Sequence, residues 1–417
     1  MNHKRWFVAF GLQGASLGAL TLVMSLFTIT GLKGNVENAS RVVALYSLGN
    51  LLGSLISGAM LDKIKNLPPI IFASLFSAAI TSILMPFSYS IFFYYILSIL
   101  LGLSVSFIGP SITLFLSKHL PAIAYRKNVN ALNLLNSIGT TSGTFIGGLL
   151  LFVFYFLNDT TKMAMIFVFS SVVFAVASIL ISTTGETLTE TIKRKISTEK
   201  DYLKGLHLDN FPKEILSSFN LKGFGRKVDL FILAVLVAFV GANMLFSIFS
   251  IYLKEYLGIG SQIIFIVYGI NSIAGNIGFY LTKFAMDNFK DFKIIRAVLI
   301  ARAILVLLIV FVGIFKSREI SIWITFISFV IVGFTWPFLY IPITIQATTL
   351  TSQSNRGKIL GVFNASINLA VITAAFTSGI VALRFGYLTS FLIGAFLLLV
   401  SERIFTRALL LDTVKKN

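Results

Sequence analysis

The sequence predicts an all-α fold: a polytopic membrane protein of twelve transmembrane helices arranged as two six-helix halves. Three observations carry this. Of 417 residues, 56% are hydrophobic and only 12% charged, about half the charged share of an ordinary soluble domain. So few charged side chains leave much of the surface without groups that face water, and that surface must face lipid. The apolar residues gather in runs of about 20, the length that crosses a bilayer at about 1.5 Å of rise per residue. The basic residues, finally, crowd onto alternate loops.

The runs of the first half are 6–30, 42–61, 67–87, 92–115, 132–157 and 163–182. Those of the second half are 230–253, 263–281, 294–315, 320–344, 359–383 and 387–405. Lys4 and Arg5 precede the first run as they would precede a signal peptide, but the run exceeds the roughly 7–15 apolar residues of a signal core and reads as a span. With both termini cytoplasmic, 26 of the 34 Lys and Arg residues fall on cytoplasmic segments or at cytoplasmic span ends, seven on the opposite side, and Arg302 alone deep inside a span. A miscounted span would scramble that asymmetry. Residues 1–183 then form the N-terminal half, 184–229 a cytoplasmic linker and 230–417 the C-terminal half. The linker carries nine basic and seven acidic residues. Within it, Asn210 to Glu214 followed by Ile215, Leu216, Phe219 and Leu221 reads either as the start of a short surface-lying amphipathic helix or as part of a mobile tether.

The same composition excludes several functions. Without cysteine there is no disulfide, thiolate metal site or thiol nucleophile. The three histidines, His3, His119 and His207, lie outside the apolar runs, so no metal site or catalytic triad has its raw material, and neither an enzyme nor a cofactor is expected. The formal charge of +18 is dispersed between spans, with no tract or aromatic-interleaved patch for nucleic acid. No Gly-rich phosphate loop with Lys and Ser or Thr is present to drive a primary pump.

Six spans, a linker and six spans suggest duplication, and short stretches recur. Gly102-Leu103-Ser104 leading to Pro110 in the fourth span corresponds to Gly333-Phe334-Thr335 leading to Pro342 in the tenth. The spacing from Gly58 to Lys63 after the second span recurs from Gly278 to Lys283 after the eighth.

With these features the chain resembles the major facilitator superfamily of secondary transporters over nearly its whole length. Gly58, Asp62, Lys63 and Lys65 are similar to that family's gating-loop signature, with Lys65 where the signature has a second Gly. The resemblance implies that Asp62 works at the interface of the halves. Gly139, Gly143, Gly147 and Gly148 of the fifth span resemble the family's Gly-rich antiporter signature without its Pro, and at a spacing of four residues the first three share a face suited to close helix contact. Proton-coupled members often carry an Arg four residues before a Gly of the fourth span; here that residue is Ser98.

Uncharged amides in lipid are costly unless paired or facing a wet cavity. The amides inside the spans are therefore candidates for substrate binding: Gln13, Asn133, Asn136, Asn243, Asn271, Asn276, Asn364 and Asn368. Trp336 and Tyr340, beside Pro337 and Pro342 in the tenth span, add two aromatics at a helix break. For each of these residues interhelical packing is the competing role. Arg302 either snorkels to the surface or meets an anion or a partner charge. None of the 16 acidic residues lies deep in a span.

The expectation is a monomeric, multi-pass carrier of the cytoplasmic membrane with a small-molecule substrate and no nucleic-acid partner. It would move a small organic solute by alternating access, with efflux of a drug-like or metabolite substrate favoured and a sugar or organic-acid uptake permease the alternative. A receptor or lipid scramblase is the rival of another class. Two outcomes test this. A Lys200→Cys variant should react with an impermeant thiol reagent only after cells are permeabilised, and reaction in intact cells would overturn the topology. Asp62→Asn should lower transport while folded protein persists; equal loss of both would make Asp62 purely structural.

Overall fold

The computed structural model describes residues 3–61, 68–109, 111, 122–182, 226–314, 318–349 and 356–413. Among them there is no strand, and the long helices are α1 (His3–Thr30), α2 (Val36–Leu61), α3 (Pro68–Leu84), α4 (Ile91–Ser106), α5 (Ala122–Val153), α6 (Asp159–Ser182) and α7 (Arg226–Phe246). They continue with α8 (Ser261–Asn288), α9 (Asp291–Ile314), α10 (Arg318–Phe334), α11 (Trp336–Thr349), α12 (Arg356–Phe385) and α13 (Tyr387–Thr413). Eleven helical stretches are long and apolar enough to cross a membrane, with α10 and α11 counted as one, and α4 is a shorter apolar helix.

Local chemistry sets the ends. Asn35 and Asn38 exchange side-chain to backbone hydrogen bonds of 3.0 Å each at the start of α2, satisfying donors that a helix start leaves orphaned. Asn158 accepts from the amide of Thr161 at 2.8 Å before α6, and Ser90 from that of Phe93 at 3.2 Å before α4. Pro68 and Pro69 begin α3, where a missing N–H is harmless. A single residue, Gly386 at φ +87°, reverses the chain between α12 and α13, a conformation that costs a side-chain-bearing residue about 1 kcal/mol or more.

Three spans differ from the hydropathy reading. The fifth begins as a helix at Ala122, ten residues before the apolar run does, because a polar turn can remain helical in water where hydropathy carries no signal. The tenth is broken at Thr335: Pro337 lacks an N–H and crowds the carbonyl four residues earlier. The seventh ends its regular helix at Phe246, and after a turn the chain re-forms as Phe249–Ile251 and a wider π-helical turn over Tyr252–Tyr256.

The two sets of six spans pack by one scheme. In the first, α1 lies against α5 and α6, α2 against α4, and α3 against α4 and α6. In the second, α7 lies against α12 and α13, α8 against α10 and α11, and α9 against α10 and α13. The sets meet where α2 packs on α12 and α5 on α8, two contacts that exchange under the same pseudo-twofold relation. Each set has its own aromatic core: Phe27, Tyr94 and Phe167 in one, Phe249, Phe329, Phe391 and Tyr252 in the other. Serine hydroxyls bond to backbone carbonyls of neighbouring helices, Ser171 to Ala79 at 2.8 Å, Ser390 to Met244 at 3.1 Å and Ser401 to Ala234 at 2.8 Å. Each such bond within a membrane contributes about 0.6 kcal/mol. Large apolar side chains such as Trp323, Phe396, Ile304 and Phe152 are exposed, as a lipid-facing surface requires.

Backbones approach closely at the seam between α1 and α5. A methyl on Gly14 or Gly18 would run into the backbone of Asn136 or Thr140, and one on Gly139 or Gly143 into that of Gly11 or Ala15. Gly143→Ala should therefore destabilise the protein by about 1–3 kcal/mol. Gly109→Ala, with nothing within 4 Å of the added carbon, should not. Thermal unfolding of the two purified variants checks this, and equal midpoints would mean the seam is not tight.

Candidate functional site

Between the two sets lies a cavity of about 530 Å³, within the roughly 300–1,000 Å³ that small-ligand pockets occupy. One set contributes Gly18, Thr21, Leu22 and Ser25 of α1, Val43 of α2, and Ser137, Thr140 and Thr144 of α5. The other contributes Ala242, Asn243 and Phe246 of α7, Ser247 and Ser250 just beyond it, and Gly333 and Trp336 at the break of the tenth span. From α8 come Tyr268, Asn271, Ser272, Gly275, Asn276 and Phe279. Their spacing at i, i+3, i+4, i+7, i+8 and i+11 is one helix face. The opposite face of α8, with Ile266, Ile270, Ile273 and Ile277, is exposed.

The wall is largely apolar, set with hydroxyls and amides, and carries no charged side chain. Thr140 donates to Asn136 O at 2.9 Å, Thr21 to Leu17 O at 3.0 Å, and Thr144 to Gly18 O at 3.1 Å. Hydroxyls that return their proton to a helix carbonyl keep lone pairs for a ligand. The amides are anchored in the same way, Asn243 Nδ2 on Phe239 O at 2.8 Å and Asn271 Nδ2 on Phe329 O at 2.6 Å. A chain of neutral bonds crosses from α5 to α8: Ser137 donates to Asn276 Oδ1, Asn276 Nδ2 donates to Thr141 Oγ1 at 3.1 Å, and the Thr141 and Ser272 hydroxyls are hydrogen-bonded at 2.6 Å.

At the end carrying residues 31–35, 154–158 and 257–260 the sets are closed on each other. Gly379 of α12 abuts Ser40 and Glu37 of α2, Gly147 and Gly148 of α5 abut Phe265 of α8, and Gly269 of α8 abuts Phe145 of α5. Among the described residues no ion pair joins the two sets: Glu37 pairs with Arg41, Asp159 with Lys162, and Glu402 with Arg296 and Arg403, all within one set.

The structure brings Asn243, Asn271, Asn276 and Trp336 together at this wall. Tyr340 lies one turn beyond and stacks on Trp336, with ring centres 5.7 Å apart and planes at 17°. The remaining amides sit elsewhere. Asn136 donates to Phe10 O at 3.3 Å within the α1–α5 seam. Gln13 is buried on α1 with Oε1 lacking a partner among the described residues; Asn133 and Asn364 are exposed and Asn368 is half-buried. Gly139 and Gly143 face α1, whereas Gly147 and Gly148 face α8, so the four glycines serve two contacts. Gly58 lies at the start of α2's last turn, and Asp62, Lys63 and the amphipathic stretch 210–221 lie outside the described residues. Arg302 does not snorkel: it is 1% exposed, its guanidinium 5.6 Å from the Trp336 ring centre and 5.9 Å from that of Phe246.

The hydroxyl residues of the wall, Thr21, Ser25, Thr140, Thr144, Ser250 and Ser272, are absent from the sequence reading. Ser and Thr are common in spans and usually bond their own helix, so type alone is silent. The polar-face periodicity on α8 is the signal that would have found Ser272.

No curated protein matches the sequence. Solved structures match over nearly the full length. The nucleoside transporter NupG is 15% identical, covering 98% of this chain and 99% of that one, with a TM-score of 0.74. The xylose transporter XylE from E. coli, in an inward open conformation, is 14% identical over 97% and 95%, with a TM-score of 0.70. A POT family transporter in complex with a thioalcohol-conjugated peptide is 12% identical over 98% and 96%, with a TM-score of 0.73. At these identities the likeness shows a shared fold. The description of the Major Facilitator Superfamily matches residues 6–351, and with a twelve-span architecture around a central cavity this chain belongs to that superfamily.

Proposed function

We propose that the chain is a monomeric secondary transporter that exports a small organic solute across the cytoplasmic membrane by alternating access. The observation that carries this reading is the cavity's place between two similarly packed sets whose central contact, α5 on α8, is a chain of neutral hydrogen bonds. Such a contact can part without separating charges, so rocking one set against the other is energetically accessible. Positive-inside orientation would place the closed end outside. Export is supported by Gly147 and Gly148, the end of the antiporter-like run, standing at the closed external contact with Phe265. Trp336, Tyr340 and Phe246 offer stacking surface for an apolar or aromatic body.

A second reading, uptake of a polar solute, is favoured by the hydroxyl- and amide-rich wall and by the nucleoside and xylose for which NupG and XylE are named. No acidic side chain is on the described wall. Glu402, 4% exposed, is held by Arg296 at 2.6 Å and by Thr406 at 3.0 Å as a tie between α9 and α13. We therefore place no coupling carboxylate in the cavity.

The test is a solute panel screened by thermal stabilisation and then by flux. Stabilising solutes should accumulate in inverted membrane vesicles, and should keep exchanging downhill in Asp287→Asn and Glu402→Gln variants with or without a pH gradient. Accumulation in right-side-out vesicles instead would establish uptake. Gradient-driven accumulation lost in either variant, with exchange retained, would assign coupling to that acid, and no flux at all would defeat the transporter reading.

A further inference from the structure

Arg302 is a cation buried beside the cavity without a counter-ion among the described residues. It is 1% exposed; Nη1 donates to Thr335 Oγ1 over a long 3.4 Å, and Nη2 has no hydrogen-bond partner among the described residues. None of the ion pairs among those residues includes it. Its neighbours are the rings of Phe246 and Trp336, and both rings form cavity wall. One layer of side chains thus separates the guanidinium from the cavity.

Removing a guanidinium from water is costly even after relaxation, and ring faces 5.6 and 5.9 Å away offset only part of that cost. The balance is unfavourable until an anion arrives. No acid on the described wall can supply one, which leaves the solute. The planar fork of Arg suits an oxyanion, either carboxylate or phosphoryl. The covering ring is also well placed to move: Trp336 is the first residue of α11, directly after the break at Thr335, whose hydroxyl already touches the guanidinium.

We propose that the transported solute is an organic anion whose oxyanion displaces the Trp336 ring to pair with Arg302, while the rest of the molecule occupies the neutral cavity. This rests on the transporter reading above and adds the charge of the substrate and the residue that selects it.

The probes are benzoate, phenyl phosphate, benzamide and benzylammonium, one ring with different charges. Trp6→Phe with Trp323→Phe leaves Trp336 as the sole tryptophan of the three, so its fluorescence reports the ring that must move. Benzoate or phenyl phosphate should shift that emission saturably and raise the unfolding temperature of the unlabelled wild-type protein, and the preference between them identifies carboxylate or phosphoryl chemistry. Benzamide and benzylammonium should do neither. Arg302→Gln should weaken anion binding at least about thirtyfold, the low end for removing one partner of a desolvated charge pair, and Arg302→Lys should restore part of it. Equal binding of benzamide or benzylammonium, unchanged anion affinity in Arg302→Gln, or no anion binding to the wild-type protein would each overturn the proposal. The wild-type charge series decides it even if Arg302→Gln does not fold. Flux of the neutral or cationic probe without anion preference sinks the anion while leaving the transporter standing, whereas absence of binding and of flux for every probe sinks both.

Discussion

Close contact of helix backbones at small residues is the constraint on which this molecule rests. Lipid tails are as apolar as leucine, so helices in a bilayer gain nothing from merely hiding apolar surface from one another. What remains is dispersion at short range and hydrogen bonding without competition from water. Gly14, Gly18, Gly139 and Gly143 let α1 and α5 touch backbone to backbone, and serine hydroxyls fasten α6 and α13 to the carbonyls of their neighbours. The same economy shapes both sets of six, which gives each the stiffness of a single body and leaves the cavity where two stiff bodies fail to fill space.

The α1–α5 seam inside a set and the α5–α8 seam between sets differ in kind. Inside, glycine meets main-chain atoms, and nothing can yield without moving a helix. Between the sets, Gly147 meets the side chain of Phe265, Gly269 that of Phe145, and Ser137, Thr141, Ser272 and Asn276 meet through rotatable side chains. Side chains turn and re-pair more readily than main chains shift. Stability and mobility are in this way assigned to separate surfaces by residue size and type alone.

The architecture was legible because its signals are long and redundant. Twenty apolar residues in a row, repeated twelve times with basic residues between, leave little room for another fold, and the positions of α1, α2 and α6 follow the apolar runs closely. The π-turn at Tyr252 and the ends of α5 were not legible, since each depends on which groups a helix meets in space. Of the amides singled out, Asn243, Asn271 and Asn276 reach the cavity while Asn136 closes a helix seam. Both uses satisfy the same cost of burying an amide, so residue type cannot separate them. The stripe from Tyr268 to Phe279 was readable in principle, because a polar face opposite an isoleucine face at helical spacing implies two different media on the two sides of one helix.

The neutral bridge between α5 and α8 has a consequence for how the protein senses its surroundings. Since charges play no part in it among the described residues, ionic strength has little purchase on its closing. Parting Ser137 from Asn276 and Thr141 from Ser272 instead leaves bare hydroxyl and amide groups that only incoming water can satisfy. Opening this contact and wetting it are then a single event. Water activity becomes a thermodynamic handle on the conformational equilibrium: excluded osmolytes, which favour states with less hydrated surface, hold the bridge shut, and dilution releases it.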